Sequence, residues 1–259
     1  VNMTNREIPD IITQVEQPTN KTAPPLSVQS PTYSANNRRY FGFGLINRFI
    51  CCFSPQTSAN LNPIPIGSPN ALLPPPTADT CKKICLLLDL DETLVHSSFA
   101  RIENPSFEIP LSIENQNFTV YVLKRPGVDE FITEMSKYFE LVVFTASVPK
   151  YADPVLDVLD PERLIKHRLY REHCSMAIGG YVKDLSRIGR KLNRTLIIDN
   201  SFPAFRLQPN HGILIESFFD NPEDTELNKL IPFLVKLAEC SDVRPMLAQW
   251  KKSEGNFTQ

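Results

Sequence analysis

Residues 86–96 read Leu-Leu-Leu-Asp-Leu-Asp-Glu-Thr-Leu-Val-His, and this run carries the strongest structural signal in the chain. Its leucines follow Ile84 and Cys85, and such a continuous apolar segment predicts a strand that is buried on both faces. Asp89 and Asp91 come next, and side chains two residues apart in a strand point to the same side. Because ligands of open α/β sheets bind at the carboxyl ends of strands, we expect both carboxylates to face one ligand.

The two neighbouring carboxylates repel each other unless a cation or a shared proton relieves the repulsion. A hard divalent cation prefers carboxylate, carbonyl and water oxygens, so the sequence predicts a Mg²⁺ site at Asp89 and Asp91. The alternative is that Asp91 or Thr93 only caps the turn that follows the strand. A cap needs one acid, whereas two acids stand here beside an apolar strand, so the magnesium interpretation is favoured.

Composition limits the class of protein. The 259 residues suffice for one large domain or two small ones, and a formal net charge of −2 gives no reason to expect direct nucleic-acid binding. The six cysteines show no zinc-finger spacing and follow no secretory signal, which indicates reduced thiols in a nuclear or cytoplasmic protein. No apolar run reaches the roughly 18 residues of a membrane span.

The first 80 residues have the composition of a linker, rich in proline, serine and asparagine. Such a segment buries too little apolar surface to offset its ordering entropy, so we predict that residues 1–80 form a disordered tail. A folded domain is expected over residues 81–250, followed by a short C-terminal tail over residues 251–259.

One island within the N-terminal tail, residues 38–53, differs in composition. It combines aromatic side chains, three arginines and the pair Cys51-Cys52, and it contains no acidic residue. This combination predicts thioester acylation at Cys51 and Cys52 and peripheral attachment to a membrane, helped by the basic flank. The alternatives are a motif that docks on a partner and a hydrophobic patch that folds against the domain.

The expected domain alternates strands and helices. Apolar and polar side chains alternate over residues 107–113 and 118–122 around a turn at residues 114–117, which predicts a β-hairpin. Further buried strands are predicted at residues 141–144, 195–198 and 213–215, with helices from Pro126-Gly127, from Pro149 to Leu159 and from about Asn221-Pro222. This order predicts a Rossmann-type parallel sheet with helices on both faces and an inserted β-hairpin.

The predicted strands end in side chains that suit phosphoryl chemistry: Asp89 and Asp91, then Thr145, then Asp199 and Asn200, with Lys183 before the last pair. If these strands are neighbours in a parallel sheet, their polar ends meet at one edge. There a metal and a lysine would neutralise the oxygens of a transferring phosphoryl group, and a hydroxyl would donate to one of them. Each residue alone also fits a cap, a surface charge or a turn; their joint order is more specific.

That order resembles the four motifs of the haloacid dehalogenase superfamily. Residues 89–96, 144–147, 181–186 and 199–201 read Asp-Leu-Asp-Glu-Thr-Leu-Val-His, Phe-Thr-Ala-Ser, Tyr-Val-Lys-Asp-Leu-Ser and Asp-Asn-Ser, which closely resemble the small C-terminal-domain phosphatases. The resemblance covers residues 81–250 and implies a haloacid-dehalogenase-like fold. It also implies a Mg²⁺-dependent serine/threonine phosphatase that acts on the phosphorylated C-terminal domain of RNA polymerase II or another Ser-Pro phosphoprotein.

The resemblance also implies roles for the site residues. Asp89 corresponds to the nucleophile that forms an aspartyl-phosphate, and Asp91 corresponds to the general acid and base. Mg²⁺ would be held by Asp89, the backbone carbonyl of Asp91 and Asn200. Thr145 and Lys183 match phosphate-binding positions, and Asp199 matches the acid that supports the lysine and the waters of the metal.

A hydrophobic pocket for a proline near the phosphoserine is a further implication, and its positions match Phe99, Leu111, Ile113, Val120, Val148 and Tyr151. Arg171 would lie beside the substrate peptide. The alternative is that these side chains only pack the hairpin against a helix. Two positions depart from the family pattern: Phe202 precedes Pro203 after Asp-Asn-Ser, and Phe218 replaces a tryptophan. These departures bear on peptide preference and leave the chemistry intact.

Two other functions remain open at this point. The pair Cys51-Cys52 is consistent with a phosphatase that acts on a membrane-associated regulatory protein. The fold also occurs in catalytically silent binding modules among mitochondrial import relatives. The presence of Asp89, Asp91, Lys183 and Asn200 argues against a silent module.

Overall fold

The computed structural model of the protein describes residues 63–113 and 115–253. The strands are β1 (Ile84–Leu88), β2 (Val95–Ser98), β3 (Phe107–Ile113), β4 (Gln116–Lys124), β5 (Phe139–Phe144), β6 (His167–Leu169), β7 (Ser175–Ala177), β8 (Gly180–Val182), β9 (Thr195–Asp199) and β10 (Gly212–Leu214). The helices are α1 (Val128–Tyr138), α2 (Pro149–Leu159), α3 (Glu226–Leu237) and α4 (Val243–Ser253). Short 3₁₀ turns, among them Leu185–Arg187 and Phe202–Phe205, connect several of these elements.

The predicted parallel sheet is confirmed. It has five strands in the order β10-β9-β1-β5-β6, and each neighbouring pair runs parallel. Strand β1 lies at the centre, where Leu87 pairs with Val142 of β5 and with Ile197 of β9. All five residues of β1 are buried, as its uninterrupted apolar sequence requires of a strand covered on both faces.

The two faces of the sheet are covered by different kinds of structure. Leu86 and Leu88 of β1 pack into one core cluster, which includes residues of all four helices and of the β2–β4 insert. Leu87 packs into a second cluster with Leu185 and Phe205, which lie in the 3₁₀ turns. The prediction of helices on both faces is therefore wrong for the described residues, since 3₁₀ turns and extended chain cover the second face.

The predicted hairpin is confirmed and gains a third strand. Strands β2, β4 and β3 form an antiparallel sheet in that order, inserted between β1 and α1. The turn is shorter than predicted, because Gln116 pairs with Ile113 and only residues 114–115 remain between the strands. Asn115 has a φ of 63°, a left-handed conformation that asparagine tolerates better than most residues.

Residues 63–80, which we call the strap, correct the predicted domain boundary. We expected this stretch to belong to the disordered tail, but its backbone is hydrogen-bonded to the domain. The Ile64 amide donates to the Ser186 carbonyl at 2.8 Å, the Leu72 amide donates to the Arg187 carbonyl at 2.9 Å, and Leu73 is buried. The low apolar content predicted disorder, but one buried leucine and backbone hydrogen bonds shared with the domain help to dock the strap on the second face.

The C-terminal region also differs from the prediction. Helix α3 begins at Glu226, because Asn221 accepts a hydrogen bond from the Glu223 amide at 3.1 Å and so closes a local turn in place of capping a helix. Helix α4 was not predicted and continues to Ser253, so the expected tail at residue 251 begins inside a helix. Val243 and Leu247 of α4 are buried in the first core cluster.

The predictions for residues 38–53, including Cys51 and Cys52, lie outside the described residues. In the part of the chain that the structure describes, no helix combines the length and apolarity needed to cross a membrane. The four cysteines of that part, Cys81, Cys85, Cys174 and Cys240, all carry free thiols.

A buried ion pair holds the strap to the sheet. Arg190 donates from Nε and Nη2 to the two carboxylate oxygens of Glu140 in β5, each at 2.7 Å, and from Nη1 to the Pro74 carbonyl at 2.8 Å. Burial raises the pKa of Glu140, but the hydrogen bonds and charges of Arg190 and His167 outweigh it and lower the pKa to about 2. The carboxylate is therefore held in its charged form.

We predict that Glu140→Gln lowers the unfolding free energy by about 3–5 kcal/mol at pH 7, since it leaves a buried arginine without its charge partner. The folded pKa of Glu140 lies below its ordinary value of 4.5, so the stabilisation is present above pH 4.5 and is lost as the pH falls toward 2. Urea unfolding at a series of pH values measures the difference between parent and variant, which should shrink over this interval.

Glu134→Gln is the matched control, because Glu134 pairs with Lys137 on the surface of α1 and should contribute little. Equal unfolding free energies for the Glu140 and Glu134 variants would contradict the role assigned to the buried pair.

Candidate active site

The carboxyl ends of β1, β5 and β9 meet at one edge of the sheet and surround a cavity of about 320 Å³. All six side chains that the sequence singled out there, Asp89, Asp91, Thr145, Lys183, Asp199 and Asn200, line this cavity. Five of the six are buried, and Asn200 is partly exposed. The structure therefore brings together residues spread over more than one hundred positions of the sequence.

Lys183 is a buried positive charge between two carboxylates. Its Nζ contacts Asp89 Oδ1 and lies 2.6 Å from Asp199 Oδ2. Its backbone amide donates to the Ala204 carbonyl at 2.7 Å, which fixes the loop that follows β8. Burial lowers the pKa of Lys183, but Asp199 and Asp89 raise it by more, so the amine stays protonated and serves as a permanent charge.

Asp89 is held from both sides at the end of β1. One carboxylate oxygen contacts Lys183, and the other accepts a hydrogen bond from Thr93 Oγ1 at 3.0 Å. Its backbone amide donates to the Ile198 carbonyl of β9 at 3.0 Å. Asp89 is thus fixed in position at the cavity wall by strand β9, the turn after β1 and the loop after β8.

Asp91 has a different environment, in which hydroxyl groups take the place of the lysine. The Tyr151 hydroxyl donates to Oδ1 at 2.6 Å, and the Ser147 hydroxyl donates to Oδ2 at 2.8 Å. Burial and the neighbouring charges of Glu92 and Asp89 raise the pKa of Asp91 to about 7, although the two hydroxyls lower it in part. A carboxyl group with this pKa can give up or take a proton near neutral pH.

The turn after β1 places these carboxylates, and a buried arginine holds the turn. The amides of Leu94 and Val95 both donate to the Leu90 carbonyl, which closes a tight turn in which Glu92 has a left-handed φ of 58°. Arg125, which is 1% exposed, donates from Nη1 to the Thr93 carbonyl at 3.1 Å. The same guanidinium pairs with both oxygens of Asp224, at 2.8 and 2.9 Å, so the turn is tied to the segment before α3.

The donor set of the cavity fits a hard cation. Thr93 Oγ1 lies 3.0 Å from Asp89 Oδ2 and 3.4 Å from Asn200 Oδ1, so the two oxygens converge on one small region. The Asn200 amide nitrogen donates to Ser217 Oγ at 3.0 Å, which turns the amide oxygen toward Asp89. Four acidic residues line the cavity, and the basic lining residue among the described residues is Lys183. The acidic residues therefore outnumber the basic one, which favours a bound cation.

Among the described residues, no three His, Cys, Asp or Glu side chains are grouped as a metal site. A cation at this cavity would therefore need the amide oxygen of Asn200 and backbone carbonyl oxygen beside Asp89. Mg²⁺ accepts such oxygen ligands together with water.

The positions of the predicted substrate pocket gather in the first core cluster, but they differ in burial. Phe99, Ile113 and Val148 are half-buried, whereas Leu111, Val120 and Tyr151 are fully buried. Ordinary packing therefore accounts for the three buried side chains, and Tyr151 also contacts Asp91.

Arg171, which the resemblance places beside the substrate peptide, contacts two residues of the cavity wall. Its Nε donates to the Ala146 carbonyl at 2.6 Å, and its guanidinium carbon lies 5.0 Å from the centre of the Tyr181 ring. Both Ala146 and Tyr181 line the cavity.

The two departures from the family pattern occupy different environments. Phe202 is 43% exposed and meets Phe205 edge to face, with ring centres 5.3 Å apart. Phe218 is buried, and the guanidinium carbon of Arg125 lies 5.7 Å from the centre of its ring. Phe218 therefore offers the flat face on which an arginine packs, as a larger aromatic residue would.

Sequence analysis missed the hydroxyl groups around Asp91 and the role of Arg125. Ser147 stands in the quoted run Phe-Thr-Ala-Ser, so its spacing from Thr145 was an available signal. Tyr151 was assigned only to the peptide pocket, because its partner Asp91 is 60 residues away in the sequence. No local motif marks Arg125, whose contacts are 32 to 99 residues distant.

Comparison with known proteins agrees with this geometry. Residues 84–244 match the family of NLI interacting factor-like phosphatases. The chain is 41% identical over 253 residues to the human carboxy-terminal domain RNA polymerase II polypeptide A small phosphatase 1, covering 92% of this chain and 96% of the relative. It is also 41% identical over 267 residues to the mouse CTD small phosphatase-like protein, covering 92% of this chain and 97% of the relative.

A relative from Dictyostelium discoideum, the probable C-terminal domain small phosphatase, is 53% identical over 162 residues, which are 62% of this chain and 53% of the relative. The family match covers more than half of the chain, and the human and mouse relatives are matched over nearly their whole length. The chain therefore belongs to the NLI interacting factor-like phosphatases and is a protein phosphatase of the CTD small phosphatase family.

Proposed function

We propose that the protein removes phosphate from phosphoserine in Ser-Pro segments, such as those of the C-terminal domain of RNA polymerase II. The reaction passes through an aspartyl-phosphate on Asp89. The human relative is a small phosphatase named for the carboxy-terminal domain of RNA polymerase II, which supports this substrate class. The observation that carries the mechanism is the unlike environment of two neighbouring carboxyl groups. Asp89 contacts a buried ammonium group, whereas Asp91 contacts hydroxyls and has its pKa raised to about 7.

This difference assigns the two roles. A nucleophile must present an oxygen in a fixed position, and Lys183 and Thr93 hold the two oxygens of Asp89 at the cavity wall. A general acid must carry a proton at working pH, which the burial of Asp91 and the repulsion from Glu92 and Asp89 permit.

The first step forms the intermediate. An Asp89 carboxylate oxygen attacks phosphorus, and the bond from phosphorus to the serine oxygen breaks as Asp91 gives that oxygen its proton. Lys183 and Thr145 lie at the cavity wall, where they can contact the phosphoryl oxygens. The serine hydroxyl of the product then leaves the cavity.

The second step releases phosphate. Asp91, now ionised, takes a proton from a water molecule as that water attacks phosphorus. The bond from phosphorus to Asp89 breaks, which restores the carboxylate, and Asp91 is again protonated. Tyr151 and Ser147 keep the Asp91 carboxyl group in one orientation through both steps.

Mg²⁺ is the cation proposed for this site, held by Asp89, the backbone carbonyl of Asp91 and Asn200. When bound, it would supply positive charge against the phosphoryl oxygens. Asp199 keeps Lys183 in place through its 2.6 Å ion pair and so supports the phosphate-binding group.

Peptide recognition is proposed to use three half-buried side chains, Phe99 and Ile113 of the insert and Val148 just before α2. A proline ring next to the phosphoserine could contact them. Arg171 lies at the cavity edge and is suited to contact the peptide backbone there.

We predict that Asp89→Asn lowers kcat on phosphopeptides about 10³-fold or more, because it removes the nucleophile while keeping nearly the same shape. Asp91→Asn should lower kcat strongly on phosphoserine peptides. It should lower kcat least on aryl phosphates such as p-nitrophenyl phosphate, whose leaving group needs little protonation. Steady-state kinetics on both substrates measures these effects.

Asp129→Asn is the matched control, because Asp129 is 65% exposed at the start of α1 and pairs with Lys124 on the surface. Circular dichroism should show the parent fold for all three variants. Activity of the Asp89 variant within tenfold of the parent enzyme would reject Asp89 as the nucleophile.

Removal of the metal gives a separate prediction. A chelator should abolish activity and added Mg²⁺ should restore it, since the charge of the phosphoryl oxygens then lacks its cation. Mg²⁺ should also raise the melting temperature of the parent enzyme and have a smaller effect on Asn200→Ala, because a ligand that binds only the folded state stabilises it. Full activity in excess chelator would mean that the proposed metal site is wrong.

A further inference from the structure

Three large apolar side chains are exposed beside the catalytic cavity, and we call them the apolar lip. Ile178 is 97% exposed, Met176 is 75% exposed and Phe202 is 43% exposed. Water-exposed apolar side chains that cluster next to a polar site often mark a binding surface. The mechanism above uses none of the three.

The lip is continuous with the cavity. Gly179 and Gly180, which directly follow Ile178, line the cavity, and Ser201 and Pro203 line it on either side of Phe202. Arg206, just after the 3₁₀ turn Phe202–Phe205, donates from Nη2 to the Ile178 carbonyl at 2.8 Å. The two segments that carry the lip are therefore joined at the rim of the cavity.

The backbone holds Ile178 outward in a defined position. Strands β7 and β8 pair with Ala177 opposite Gly180, so Ile178 and Gly179 form a two-residue turn. Gly179 and Gly180 have φ values of 95° and 118°, which residues with side chains rarely adopt. A hairpin tip built this way presents its isoleucine without needing to reorganise on binding.

The lip lies on the other face of the sheet from the β2–β4 insert. Phe205 ends the 3₁₀ turn that begins with Phe202, and the two rings are in contact. Phe205 belongs to the second core cluster. The insert residues Phe99, Ile113 and their neighbours belong to the first cluster. A peptide that crosses the cavity would thus meet the insert on one side and the lip on the other.

We propose that the lip binds an apolar side chain of the phosphoprotein substrate, within about three residues of the phosphorylated serine. This inference rests on the proposed function and adds a second specificity element to it. An extended peptide advances about 3.3 Å per residue, and the lip begins one residue from the cavity wall, so nearby substrate positions can reach it. Met176, Ile178 and Phe202 carry no charge and therefore suit an aliphatic or aromatic partner.

A second copy of the chain is a less suitable occupant. Stable protein contacts bury about 800 Å² on each partner, and three side chains fall short of that area. A short peptide whose phosphoserine is already held in the cavity needs only a small additional contact, because the first site raises the local concentration of its neighbours.

The test uses synthetic phosphoserine-proline peptides that differ only by leucine or serine at one position, scanned over three residues on each side of the phosphoserine. At one or more positions the parent enzyme should prefer leucine by about tenfold in kcat/KM. Ile178→Ser and Met176→Ser should reduce that preference to about twofold or less. The ratio is internal to each variant, so it does not depend on the active fraction.

Ile66→Ser and Val158→Ser are matched controls, because both side chains are large, apolar and about as exposed as Phe202, at 46% and 44%. They should keep the preference of the parent enzyme. A parent without preference at any position, or lip variants that keep it, would overturn the proposal.

Two further outcomes are distinguishable. If the parent hydrolyses neither p-nitrophenyl phosphate nor any peptide, the proposed function itself fails. If the parent is active and self-associates, and Ile178→Ser abolishes the self-association in sedimentation experiments while the peptide preference stays, the lip is a contact between copies and the proposal is overturned.

Discussion

The active site depends on a buried lysine that is shared by two carboxylates. Lys183 contacts Asp89 and Asp199 from a loop on the second face of the sheet, where three charged groups lie out of water. Such a cluster is stable only if its charges are paired at close range. It therefore fixes how β1, β9 and the β8 loop must come together. Asp91 is bonded instead to the hydroxyl groups of Ser147 and Tyr151, and no cationic side chain among the described residues pairs with it.

The elements around the site can be understood as supports for that arrangement. Arg125 holds the turn that carries Asp91, and Tyr151 from α2 holds the carboxyl group itself. On the second face, the Glu140–Arg190 pair fastens the strap over the chain segment that leads into β9. Both faces of the sheet thus contribute to placing two carboxylates that sit two residues apart but have unlike surroundings.

Sequence reasoning succeeded where the signal is local. The apolar run of β1, the acids after it and the polar ends of the neighbouring strands follow from short patterns, so the six residues predicted from them all line the cavity. It failed where partners are distant or where composition misleads. Tyr151 is 60 residues from its partner Asp91 in the sequence, and Arg125 is 99 residues from its partner Asp224. Asn221-Pro222 has the composition of a helix start, yet Asp224 is engaged by Arg125 and the helix begins later, at Glu226.

The central claim is that phosphate passes through a covalent bond to Asp89, and chemical trapping tests it most directly. The enzyme is mixed with a phosphoserine-proline peptide, quenched in acid and treated with borohydride, which reduces an acyl phosphate to an alcohol. Peptide mass spectrometry then locates the reduced residue. The account predicts reduction at position 89 that depends on the peptide and is absent in Asp89→Asn. Reduction at another acid, or full turnover with position 89 unmodified, would contradict it.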